Sequence, residues 1–346
     1  MKNLFFFVLL IFGLALPAEA SELTAPAVPP SGQQIMPSET ENFSVGLAEL
    51  LENALIALTP DLKSSVRSCM EILLTALLLS LITALWDSSA RGTAAAGSAV
   101  ILVLLFQNAD TLIGLASETL RELCEYGKLL CLVMTTALAA QGSVAASSAL
   151  YTGTSFFTAL LGSLMERLHV PMVYLFLIFS AASSALGEES MRKLADTIKG
   201  FLSWILKTLL IVFTTYMSIT GVIAGTTDAA ALKAAKITIS TAVPVVGGIL
   251  SDASEAVLVS MGLMKNAAGI YGILAALAVF IGPFLKVGLQ YLGLKLSACL
   301  CSIFAAKSIS ALVSDAAAAM GLLLAMLGAA CIMVLVSTVC FLRGAS

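Results

Sequence analysis

Residues 319–342 read AMGLLLAMLGAACIMVLVSTVCFL, from Ala319 to Leu342, without one charged side chain. A helix needs about 20 consecutive apolar residues to cross the hydrocarbon core of a bilayer, and this run supplies them. Further stretches of the same kind lie upstream: Cys69–Trp86, Ala94–Leu115, Pro171–Leu186, Phe201–Ala224 and Gly269–Leu292. Leu129–Leu150 is a weaker one, diluted by Gln141, Gly142 and several serines, and Thr152–Met165 is shorter still. The expected count is about seven spans, with six or eight as the bounds. Lipid offers backbone N–H and C=O groups no partner, so each span has to be a helix, and no ten-residue alternation suggests a barrel. The fold class is therefore all-α: a polytopic helical membrane protein.

The composition agrees. Of 346 residues, 59% are apolar and 11% charged, and the mean hydropathy is +1.02. A soluble domain carries about 25% charged residues, so this chain cannot cover a soluble fold with polar surface. The net charge of −3 gives no basic excess for a phosphate backbone, and a nucleic-acid partner is not expected.

The N-terminus reads as an address. Lys2 precedes the apolar run Leu4–Leu16, then Pro17 and the triplet Ala18, Glu19, Ala20. A basic start, a short apolar core and an A-x-A site are the pattern of a secretory signal peptide over residues 1–20, preferred to an uncleaved anchor, and cleavage would export the new N-terminus. Lysines and arginines divide among the loops without a decisive bias, so the signal peptide alone carries the orientation. Residues 21–42 hold Pro26, Pro29, Pro30 and Pro37 among polar residues and read as an extended exported tether. Across 43–66, Phe43, Leu47, Leu50, Leu51, Ala54, Leu55 and Leu58 recur at helical spacing, with Glu49, Glu52 and Asn53 opposite. That is an amphipathic helix, resting on a membrane or partner, or packed on the chain's own bundle. Residues 67–346 form the polytopic domain.

Inside that domain, 226–268 reads as a helix–break–helix element. Thr226, Thr227 and Asp228 are an N-cap signal for Ala229–Lys236. Pro244, Gly247 and Gly248 interrupt the following apolar run, and Ser251–Asp252 restarts a helix with Glu255 three residues on. Lys265 and Asn266 precede the span at Gly269. Non-helical backbone at membrane depth survives only beside protein or a water-filled cavity, so the break is either a gate or pore-lining element or an interfacial hairpin. The candidate pathway residues are Pro244, Gly247, Gly248, Asp252, Glu255, Lys265 and Lys286. Lys286 follows Pro283 by three residues, deep in a span, and Asp315 is a candidate carboxylate to neutralise it. Gln107, Asn108 and Asp110 cluster on another span, and Asp110 and Lys207 lie near span ends, where snorkelling accounts for them.

Catalytic signatures are thin. His169 is the one histidine, Cys299 and Cys301 have the wrong spacing for zinc, and the seven cysteines read as small buried side chains. No P-loop and no Gly-x-Ser-x-Gly elbow occurs. Neither an enzyme nor a cofactor is expected.

The stretch Thr226–Gly272, TTDAAALKAAKITISTAVPVVGGILSDASEAVLVSMGLMKNAAGIYG, with Pro283 and Lys286 after it, resembles the stage III sporulation protein AE family. The likeness is in motif over 214–290 and in layout over 43–342. It implies a mother-cell membrane protein facing the forespore, with its N-terminal segment in the intermembrane space. Its implied partners are ring-forming proteins and an ATPase of the same operon, and a forespore membrane protein. Together these would form a secretion-like channel needed for endospore formation, with Pro244–Gly248 as the gate. No catalytic residue is carried over. A self-contained small-solute permease is the competing class, and it should show matching interruptions in both halves. One strong interruption, at Pro244, and a weak one near Gly142 favour the subunit.

Overall fold

The structure is a computed structural model that describes residues 25–85, 90–141, 143–242, 247–305 and 307–343, with the backbone alone described at 79–80, 82–85, 90–99, 221–242, 247–265 and 304. The signal-peptide reading of 1–20 lies outside the described residues. After a helical turn at Pro30–Gln33 (α1), the chain forms α2 (Phe43–Leu85), α3 (Ala90–Ala140), α4 (Val144–Leu164), a π-helical turn (Met165–His169), α5 (Val170–Leu186), α6 (Glu189–Ala242), α7 (Gly247–Phe304) and α8 (Lys307–Arg343). Six segments are long and apolar enough to cross a membrane: Phe43–Leu78, Val100–Ala140, Val144–Leu186, Glu189–Thr220, Asn266–Ile303 and Lys307–Arg343. The chain is a multi-pass helical membrane protein, and its described residues hold six such segments, within the expected range of six to eight.

Among the described residues, neighbouring apolar stretches merge because polar sequence does not end a helix here. Glu118–Lys128, which reads as a loop between two spans, continues α3 as helix. Glu, Leu, Arg and Lys are good helix formers, and Arg121 and Glu125 sit one turn apart as an i,i+4 pair. The true break comes at 141–143, inside the expected span Leu129–Leu150. Likewise Glu166–His169 does not separate two spans. It is wound as a π turn, with Pro171 following, so that α4 and α5 continue as one helical segment, Val144–Leu186. Pro171 lacks the N–H that would continue the ordinary ladder, and π turns accommodate such a residue. A genuine stop occurs at Gly187, whose φ of 71° is left-handed and whose N–H donates to Ser183 O at 2.9 Å.

α7 and α8 are the centre. In their most apolar windows 50% and 61% of residues are buried, against 17% for α2, which is therefore peripheral. They run antiparallel: Gly269 meets Leu342, Gly288 meets Leu324, and Ser310 Oγ donates to Ala298 O at 3.1 Å. Small residues on α7 admit neighbours closely, as Gly293 does for the Cys69 thiol of α2. The main core joins Leu123, Met134, Phe176, Phe213, Leu323 and Met326 from α3, α5, α6 and α8.

The amphipathic helix of 43–66 does not stop there. It runs into the next apolar stretch as one helix, through Pro60. Pro60 cannot donate to Ile56 O, and the Thr59 hydroxyl does so instead, at 2.9 Å. Nor is the segment after residue 24 wholly extended away from the bundle. Ile35 is buried in a second cluster with Leu50, Ala54, Leu274 and Ala278, and Gly32 lies against Val279. Ile35 and Met36 are two apolar residues among many polar ones, but they find an apolar groove between α2 and α7. Glu49 fastens the same segment by accepting hydrogen bonds from Ser38 Oγ (2.8 Å) and the Ser38 N–H (3.0 Å).

Candidate functional site

α2 and α7 cross in parallel, and each carries an internal proline near the crossing, Pro60 and Pro283. Gly46 faces Leu274, and Cys69 faces Gly293, so residue 61 arrives beside residue 286. There Lys286 Nζ donates to Asp61 Oδ1 at 2.9 Å, with the two side chains 38% and 31% exposed. The expected interior lysine is thus neutralised, but not by Asp315. Asp315 is on α8 and accepts from Arg192 Nη1 of α6 at 2.9 Å and from Ser180 Oγ of α5 at 3.0 Å. Its side chain is only 10% exposed, and a carboxylate at that burial needs such partners. Ser184 Oγ adds a bond to Ser308 O at 3.0 Å, so three helices meet at one polar joint.

Sequence reading missed Asp61 and Arg192. Asp61 follows a proline and looks like the end of an amphipathic helix, and Arg192 looks like a loop charge between Glu189 and Lys193. The pairings span the chain, and local pattern carries no signal for them. Asp110, expected to snorkel, instead accepts from Tyr174 Oη at 2.6 Å.

The rest of the expected pathway set is spread along one helix. Gly247 and Gly248 begin α7, while Asp252, Glu255 and Lys265 follow within it. Pro244 lies outside the described residues. α6 runs unbroken through Thr226–Asp228 to Ala242, so the N-cap signal starts no helix, and α7 runs unbroken from Gly247 past Lys265. Cap residues inside a propagating Ala-rich helix are overruled by their neighbours. At 1.5 Å per residue, about 50 Å of helix separates Asp252 from Lys286, so these two do not share one site. Among the described residues, no three His, Cys, Asp or Glu side chains gather as a metal site would require.

Comparison with known proteins completes the picture. The family model for stage III sporulation protein AE matches residues 32–344, nearly all of the bundle. The chain belongs to the stage III sporulation protein AE family. A member of it, stage III sporulation protein AE of Bacillus subtilis (strain 168), is 24% identical over 188 residues, which is 54% of this chain and 47% of the relative. The match therefore spans about half the length of that relative. No solved structure matches. Family membership makes this a stage III sporulation protein, and its six apolar segments make it a membrane protein.

Proposed function

We propose that this family member is a non-enzymatic membrane subunit of a secretion-like channel between mother cell and forespore, required for endospore formation. Family membership over residues 32–344 carries the reading, and the six apolar segments support it. Among the described residues, the pairs Lys286–Asp61 and Arg192–Asp315 each tie two helices together, α2 to α7 and α6 to α8, a structural use of charge. The protein sits in the mother-cell membrane around the forespore. A signal peptide exports its N-terminus, where residues 25–42 meet the ring-forming proteins. The operon's ATPase acts from the cytoplasm, and a forespore membrane protein completes the passage. No cofactor takes part.

The test is co-purification from sporulating cells in mild detergent, with partners identified by mass spectrometry. Recovery of ring proteins and ATPase is the expected result. A chain recovered alone, or only with itself, would overturn the subunit reading in favour of a self-contained permease.

A further inference from the structure

The exposed residues of α3 line up. Gln107, Asp110, Thr111, Gly114, Glu118, Arg121, Glu125 and Lys128 are all exposed and recur every three or four positions, so they form one stripe. At 1.5 Å per residue the stripe is about 32 Å long, close to the thickness of a bilayer's hydrocarbon core. Not one large apolar side chain interrupts it. The opposite face, with Ala109, Leu112, Ile113, Ala116, Leu120 and Leu123, is buried in the core.

The depth of this stripe is set by its neighbours. Gly127 lies against Val334, inside the uncharged run Ala319–Leu342 of α8. Leu130 lies against Gly272 of α7. Glu122 accepts from the Ser31 hydroxyl, and the adjoining Gly32 lies against Val279 of α7. Residues 266–285 of α7 also carry no charge. The charged part of the stripe therefore runs beside the most apolar segments of the molecule.

Hydrocarbon is not what covers it. Large apolar side chains are exposed elsewhere, at Phe156, Leu160, Trp204 and Val212 along an open groove of α4 and α6, and on α3 only beyond the stripe's two ends, at Val100, Val103, Leu129 and Leu132. Within the stripe Asp110, Glu118 and Glu125 outnumber Arg121 and Lys128 by one, and the half-buried Glu122 beside it adds a fourth carboxylate. The Arg121–Glu125 pair spans 3.9 Å with both side chains about two-thirds exposed, at 64% and 65%. Glu166 and Arg167 are exposed on the π turn, and Glu166 is within electrostatic reach of Cys124, which widens the polar side. Exposed charges at this depth face water or a cavity, because lipid makes them costly.

We propose that the α3 stripe from Gln107 to Lys128 is the wall of a water-filled path through the membrane, acidic in balance and favouring hydrated cations over anions. This goes beyond the channel reading, since it names the helix that meets water and would hold equally in a permease.

The experiment uses full-length protein in native membranes, with Cys299→Ser removing the exposed native thiol. Single cysteines are placed on the stripe (Gly114→Cys, Glu118→Cys, Glu125→Cys) and on the apolar side (Phe156→Cys, Trp204→Cys). Gly114→Cys keeps the test valid if the charge-removing variants fail to accumulate, since nothing stands within 4 Å of a side chain there. Membrane-impermeant cationic and anionic methanethiosulfonates are then compared, each rate divided by that reagent's rate with a small free thiol in solution, because the cationic reagent is intrinsically the faster. The stripe should react at least tenfold faster than the apolar side, and faster with the cationic reagent. Stripe reactivity no greater than at Trp204→Cys would overturn the proposal, as would protection relieved only by detergent, which would assign the stripe to a protein partner. Equal rates with both reagents would overturn the acidic preference. Co-purification can fail while this labelling succeeds, and the reverse, so the two readings are separable.

Discussion

Lys286 and Asp61 meet at 2.9 Å although 225 positions separate them, and each stands within three residues of a proline inside its own helix. The prolines free carbonyls and soften both helices at the crossing. The ion pair fixes their register where the backbone alone would not. Replacing Lys286 by Met, or Asp61 by Asn, should each lower stability by about 1–2 kcal/mol, because one half-buried charge is left without its partner. Exchanging the two, Lys286→Asp with Asp61→Lys, should recover most of the loss. Thermal unfolding of the purified protein in detergent measures it, and a double variant no better than the singles would show that the pair does not set the crossing.

The Arg192–Asp315 joint should be less forgiving. Asp315 is the more deeply buried partner, so Arg192→Ala strands a carboxylate and should cost roughly 3 kcal/mol. Asp315→Asn should be milder, since an amide oxygen still accepts from Ser180 and Arg192. Ser180→Ala, which removes one neutral donor, should cost about 1 kcal/mol. The order of the three unfolding midpoints checks the assignment, and Asp315→Asn falling below Arg192→Ala would contradict it.

Two glycines of α4 should respond oppositely to the same change. A Cβ on Gly153 would run into the Tyr216 ring, whose hydroxyl donates to Ala149 O at 3.3 Å. Gly153→Ala should therefore lower stability by about 1–3 kcal/mol through overpacking. Nothing lies within 4 Å of a Cβ on Gly162, and Gly162→Ala should stabilise by about 0.5–1 kcal/mol through helix propensity. Adding Tyr216→Leu should relieve the Gly153→Ala defect and leave Gly162→Ala unaffected.

The docked segment after residue 24 offers a protease readout. Ile35 is 6% exposed between α2 and α7, and an aspartate there would leave the second cluster open. Ile35→Asp should release residues 25–42 and make them cleavable at protease concentrations that leave the parent chain intact. Equal cleavage of both would mean that Ile35 does not hold the segment.

The comparison of sequence with structure turns on range. Ala319–Leu342 declares its helix unaided, because any backbone in lipid must satisfy its own hydrogen bonds and twenty apolar residues do so in one way. Pro171 and Gly187 announce local departures for equally local reasons, a missing N–H and a left-handed φ. The polar run Glu118–Lys128 misleads, since its low hydropathy suggests a loop while the helix propensity of the same residues keeps it helical. Of the expected pathway residues, those from Gly247 to Lys286 are spread along the length of a continuous α7.

What the sequence determined alone is the helical, multi-pass class and the family, both of which rest on hydropathy and motif within short windows. What the tertiary structure decided is which charge answers which: Lys286 takes Asp61 rather than Asp315, and Asp315 takes Arg192. It also decided which face of α3 is left outward. The backbone hydrogen bonds of a helix are the same whichever face it turns to its neighbours. Only the packing of α7 and α8 at the centre, with the other helices around them, selects the face that is buried and the one that is left exposed.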